Sequence, residues 1–83
     1  MARPTYEEVL ELYDQNRYVD AYAATEPLWR DAAAAERLSL EELVLAGRLA
    51  VRLGGSKASR YLFRRAAARE PGNPRVRFYC RYA

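Results

Sequence analysis

The sequence predicts an all-α fold of about five helices, and three observations carry that expectation. Apolar residues recur at intervals of three and four through successive segments. The breaks between segments run two to six residues and draw on Asn, Gly and Pro. No segment shows the apolar/polar alternation of a strand.

The first segment, Pro4 to Gln15, places Tyr6, Val9, Leu10 and Tyr13 on one stripe, with Glu7, Glu8, Glu11 and Asp14 around much of the rest. Thr5 and Glu8 have the spacing of a capping box, which satisfies amides left open at a helix start. Asn16 and Arg17 form a short break. The second segment begins at Tyr18 or Val19 and gathers Tyr18, Ala21, Tyr22, Thr25, Leu28, Trp29 and Ala32 on one face. Pro27 removes an amide and crowds the preceding turn, so a kink or a restart is expected near Thr25. The alanines from Ala32 to Ala35 favour helix and carry the segment to about Arg37.

Ser39 and Glu42 repeat the capping-box spacing at the start of the most apolar segment, LSLEELVLAGRLAVRLGG. Leu40, Leu43, Val44, Ala46, Gly47, Ala50 and Val51 form a broad face there, and Leu45, Leu49 and Leu53 extend it around the cylinder. A helix of this kind is covered on more than one side. Gly54 and Gly55 stop it, because glycine takes the left-handed terminal conformation without steric cost. Ser56 is the expected cap of a fourth helix running to about Arg69, with Ala58, Tyr61, Leu62, Phe63 and Ala66 inward. Its cations, Lys57, Arg60, Arg64 and Arg65, point mostly outward. Pro71 ends it, and Asn73 with Pro74 opens a fifth helix whose apolar content is Val76, Phe78, Tyr79 and Tyr82.

Eighty-three residues make one domain of modest stability, since a chain of this size buries little more than half of its unfolded surface. There is no histidine, and Cys80 stands alone, so neither an internal disulfide nor a set of N/S metal ligands is available. Nucleophile-base pairs of the Ser-His or Cys-His kind are excluded, and LGGSKAS lacks the form of a phosphate-cradling loop. Glu7 with Glu8, and Glu41 with Glu42, are adjacent on a helix and point apart, which suits a solvated first turn rather than acid-base chemistry. No enzyme activity and no cofactor is expected. With no apolar run of membrane-spanning length and no secretory signal in MARPTYEEV, the expected location is the cytoplasm.

Gly47, Phe63, Ala66 and Pro71 stand at the mutual separations of the small, aromatic, alanine and proline positions of the tetratricopeptide (TPR) repeat, which the chain resembles. NRYVDAY around Tyr18 and Ala21 is similar to the turn into the second helix of such a repeat. The resemblance implies antiparallel helix pairs stacked as a short right-handed solenoid. Its units are a first repeat over about 4–37, a second over about 40–73 and a half repeat over 74–83. The first unit departs from the pattern at Thr25, where a large aromatic is usual, and at Val9, where a small residue is usual. Arg81 holds the small-residue place of the third.

Arrays of this family hold a peptide or protein on the concave surface formed by the first helix of each pair. Carried over, that surface comprises Tyr6, Leu10 and Tyr13, then Val44, Arg48, Val51 and Arg52, then Arg75, Phe78, Tyr79 and Tyr82. Of these, Arg48 and Arg52 carry the strongest functional expectation, because a planar guanidinium beside aromatic rings suits a carboxylate-bearing peptide. The Lys-Asn-Arg grip on chaperone tails is not reproduced, since Tyr6, Leu10 and Arg48 hold the corresponding places.

Charge is polarised along the chain. Residues 1–46 carry four arginines against ten acids, a net of −6, and residues 47–83 carry ten cations against Glu70, a net of +9. An acidic protein partner, head-to-tail self-association and nucleic acid are the three readings, nucleic acid least favoured because the cations look spread around the fourth helix. A regulatory segment of a larger enzyme is a further reading. The aromatic residues of the last helix also predict that it docks on the fourth and offers its other face to a second copy or to a further part of a longer protein.

Overall fold

The computed structural model describes residues 5–82, with side chains described as far as Arg81. Six helices follow one another: α1 (Tyr6–Asp14), α2 (Tyr18–Trp29), α3 (Ala32–Ala35), α4 (Leu40–Arg52), α5 (Ser56–Arg69) and α6 (Pro74–Tyr82). There is no strand among the described residues. The expected caps form at three starts. Thr5 Oγ1 accepts from the Glu8 amide at 3.2 Å, Ser39 and Glu42 close a full capping box, and Asn73 Oδ1 accepts from the Arg75 amide at 2.9 Å.

The helix count exceeds the expected five because the alanine run separates from α2. The break falls at Arg30 and Asp31, not near Thr25. Thr25 stays helical and buried, its hydroxyl donating to the Tyr22 carbonyl at 2.9 Å. Pro27 lies inside α2, and both it and Ala23 are exposed, so water replaces the amide that proline lacks. Asp31 then takes an extended conformation and accepts from the Ala33 amide at 3.2 Å, which starts α3. A second correction concerns Ser56. Gly55 is the residue before α5, and Ser56 is its first member, its carbonyl accepting from the Ser59 hydroxyl at 3.0 Å.

α4 is the central element. α1 packs on α2 and α4, α2 on α3 and α4, α4 on α5, and α5 on α6, so α6 docks where the sequence placed it. Leu43, Val44 and Ala46 of α4 enter one apolar cluster with Trp29, Leu62, Phe63 and Val76. Leu45 and Leu49 enter another with Val9, Tyr13 and Ala21. α4 is thus covered on two sides, as its wide apolar face required, and of its apolar residues only Val51 is exposed, with Leu53 exposed at the cap that follows. Arg69 reaches from the end of α5 to the turn between α3 and α4, donating to the carbonyls of Leu38 and, at 3.1 Å, of Glu36. Among the described residues no helix is long and apolar enough to cross a membrane.

The tightest approach is between α4 and α5. A Cβ added at Gly47 would lie 2.6–2.9 Å from three ring carbons of Phe63, inside any real carbon-carbon contact. Phe63 is itself only 1% exposed, so its ring has nowhere to withdraw. Gly47→Ala therefore loses stability by about 1–3 kcal/mol from overpacking, although alanine favours helix by about 1 kcal/mol. Urea titration checks this, with Gly47→Ala/Phe63→Leu expected to recover part of the loss.

Candidate functional site

Tyr13 projects from the last turn of α1, whose end is fixed by a left-handed residue. Asn16 takes φ 61°, its amide donates to the Tyr13 carbonyl at 3.0 Å, and the Arg17 amide donates to the Leu12 carbonyl at 2.9 Å. Asparagine tolerates this conformation better than most residues. The reversal returns Tyr18 against Tyr13, ring centroids 5.2 Å apart and edge to face, with the Tyr18 hydroxyl donating to Asn16 Oδ1 at 2.8 Å.

From α4, Arg48 and Arg52 lie one turn apart and reach the same hydroxyl. Arg48 Nη2 donates to Tyr13 Oη at 3.2 Å and Arg52 Nε donates to it at 3.3 Å. The Arg48 guanidinium carbon lies 4.8 Å from the Tyr13 ring centroid and 5.8 Å from that of Tyr79 in α6. That of Arg52 lies 6.0 Å from Tyr13 and 5.5 Å from Tyr18. Tyr79 stacks on Phe63 at 5.4 Å, and Phe78 meets its edge at 5.5 Å. An alternating strip of rings and guanidinium groups therefore crosses α2, α1, α4 and α6.

Its electrostatics are one-sided. Among the described residues neither Arg48 nor Arg52 pairs with a carboxylate; the ion pairs there join Arg17 to Asp20 and Arg30 to Glu26. Burial pushes the Tyr13 phenol up, but the Arg52 hydrogen bond, the charges of Arg48 and Arg52 and the Arg48 hydrogen bond together outweigh it. Its pKa thus lies below the ordinary value of 10.0. Arg52 is held above its ordinary value, first by the hydrogen bond to Tyr13 and then by attraction to the Tyr13 and Tyr18 oxygens. A phenol oxygen has two acceptor sites, and the two guanidinium groups occupy both. The phenol proton then points away from them, and among the described residues no carboxylate is paired with either guanidinium group.

Five of the predicted residues meet here: Tyr13, Arg48, Arg52, Tyr79 and, against the Tyr79 edge, Phe78. Tyr6 and Leu10 are half-buried against the same cluster of α1, α2 and α4 that holds Tyr13, and Tyr6 also lines an apolar crevice with Thr25, Leu28 and Leu38. Val44 is core and Val51 is exposed. Arg75 is exposed at the start of α6, and the Tyr82 side chain lies outside the described residues. Tyr18 belongs to the strip although its sequence position reads as the packing face of α2. The signal that locates it is Asn16, whose left-handed turn folds α2 back over α1. No group of three or more Cys, Asp or Glu among the described residues is placed to hold a metal.

Comparison with known proteins adds no relative, since no protein-family model, curated protein or solved structure matches the chain.

A lowered phenol pKa fixes the sign of a pH effect. The folded state releases the Tyr13 proton more readily than the unfolded chain, so stability rises as pH passes the lowered pKa and is fully gained above about 10. Tyr22 shifts upward through burial and the Glu26 charge, but it does so equally in a Tyr13→Phe variant and cancels in the difference. Denaturant unfolding of both proteins from pH 7 to 10.5 is expected to show the wild-type advantage growing toward alkaline pH. A flat or shrinking difference contradicts the assignment.

Proposed function

We propose that the chain is a noncatalytic, TPR-like interaction module, a short right-handed stack of antiparallel helix pairs that works in the cytoplasm. Its ring-and-arginine strip holds a carboxylate-bearing peptide or protein segment. The single observation that carries this reading is the convergence of Arg48 and Arg52 on the Tyr13 hydroxyl with no carboxylate beside them. Two guanidinium groups held by one phenol would repel each other without a counter-ion, and a guest carboxylate supplies it with charge-assisted, planar geometry. Tyr79, Phe78 and Tyr18 then flank the anchor with surface for apolar side chains, the pairing of aromatic and arginine that dominates binding energy at protein interfaces.

The stacked architecture draws support from packing between successive helices and from the fit of Phe63 over Gly47. It also accounts for the crevice at the first pair. Phe63 fills the space between helices of the second unit, whereas Thr25, at the corresponding place in the first, is too short to do so and borders the crevice instead.

Selection from a displayed library of random peptides, followed by fluorescence anisotropy on the winners, tests the reading. Enrichment of Asp, Glu or a free C-terminal carboxylate next to apolar residues is expected. Arg48→Ala/Arg52→Ala should weaken these peptides at least tenfold, because each hydrogen bond to a charged group contributes about 1.5–3 kcal/mol. Selection of uncharged peptides, or equal binding by the double variant, contradicts it.

A further inference from the structure

The cations of α5 are not spread around the helix as their sequence order suggests. Arg69 reaches instead to the turn before α4, donating to the carbonyls of Leu38 and Glu36. Lys57, Arg60, Arg64 and Arg65 line one shallow depression together with Tyr61 and Ala68. Arg60 and Arg64 also border the adjoining cleft, whose other members are Phe63 and Cys80. On α6, Arg77 and Arg81 line the next depression with Pro74 and Phe78. The basic surface thus runs from the outer face of α5 toward α6.

Nothing in the described residues neutralises it. None of Lys57, Arg60, Arg64, Arg77 and Arg81 takes part in the ion pairs there, which join Arg17 to Asp20 and Arg30 to Glu26. The one acid of residues 47–83, Glu70, accepts instead from Asn73 Nδ2 at 3.4 Å. Arg60 with Arg64, and Arg77 with Arg81, are like charges four residues apart on a helix, an arrangement that destabilises the free protein. A bound polyanion relieves that repulsion.

The α5 part of this face shares no lining residue with the Tyr13 strip. On α5 it offers no exposed apolar anchor, because the Tyr61 ring is half-buried and tilted against Trp29 and its hydroxyl accepts from Arg65 Nε at 2.9 Å. The exposed ring of the face is Phe78 at its α6 end, a surface on which a base can stack. Protein interfaces draw their energy from buried aromatic or apolar anchors, whereas a phosphate backbone is held by charge and released counter-ions. From a dense, regular array of cations free of ion pairs, with one exposed ring at its α6 end, we infer that the outer face of α5, extended by α6, binds the phosphodiester backbone of a single-stranded nucleic acid without regard to sequence.

Fluorescence anisotropy of the full chain with a labelled 20-nucleotide oligouridylate, from 50 to 200 mM KCl, tests this. Binding is expected to weaken with a log-log slope of about −2 to −4, since each phosphate neutralised on a single strand contributes about −0.7. Arg60→Gln/Arg64→Gln should weaken binding at least tenfold and flatten the slope by about 1.4. Arg48→Ala/Arg52→Ala should leave it unchanged, which keeps this face distinct from the peptide strip. If circular dichroism shows that the first variant loses helix, Lys57→Gln/Arg81→Gln carries the same expectation. The inference is overturned by absence of binding at 50 mM KCl, by undiminished binding in the basic-face variants, or by equal competition from polyglutamate at matched charge. The last result would assign the face to an acidic protein.

Discussion

The close approach of α4 and α5 at Gly47 is the constraint on which the rest of the structure depends. The Phe63 ring occupies the space that any side chain at Gly47 would need, and its far face stacks on Tyr79. One ring thereby sets the separations of three helices, α4, α5 and α6. A buried phenylalanine of this kind contributes about 3–5 kcal/mol, a large share of the stability of a domain this small. Replacing it by a shorter residue would leave a void beside Gly47 that glycine cannot fill.

The same contact governs the outer chemistry because consecutive residues of a helix face different ways. Gly47 turns into the core and Arg48, the next residue, turns out over Tyr13 and Tyr79. The distance of Arg48 from Tyr79 therefore follows from how deeply α4 settles against Phe63. On the other side, the Asn16 turn fixes Tyr13 and Tyr18 relative to α4 through Leu45, Leu49 and Val9. The strip is assembled by packing beneath it, with its rings and guanidinium groups held by mutual contact rather than by ion pairs.

Much of this was legible in the sequence. Helix starts at Thr5, Ser39 and Asn73 followed from local chemistry, since a side-chain oxygen bonds amides within three residues. The end of α4 followed likewise, with Gly54 at φ 77°. Two-sided burial of α4 was visible in its leucines. What the sequence hid was set by position in space. Pro27 reads as a break, yet it lies on an exposed side where water compensates, so the break moved to Asp31. Arg69 reads like its neighbours, yet it alone meets unpaired carbonyls at the turn between α3 and α4. Tyr6, Leu10 and Tyr13 share a helical stripe, yet Tyr13 is buried and Tyr6 and Leu10 are half-buried, and it is the Tyr13 hydroxyl that Arg48 and Arg52 reach. Periodicity identifies a face; which part of it a neighbour covers depends on crossing geometry.

Proton NMR of the wild-type chain tests the central contact most directly. Nuclear Overhauser cross-peaks from the Phe63 ring to both Gly47 Hα and the Tyr79 ring, with the Gly47 Hα resonance shifted by the ring current, are the predicted result. A Gly47 Hα at its random-coil position with no cross-peak to Phe63 would contradict the packing from which the whole arrangement follows.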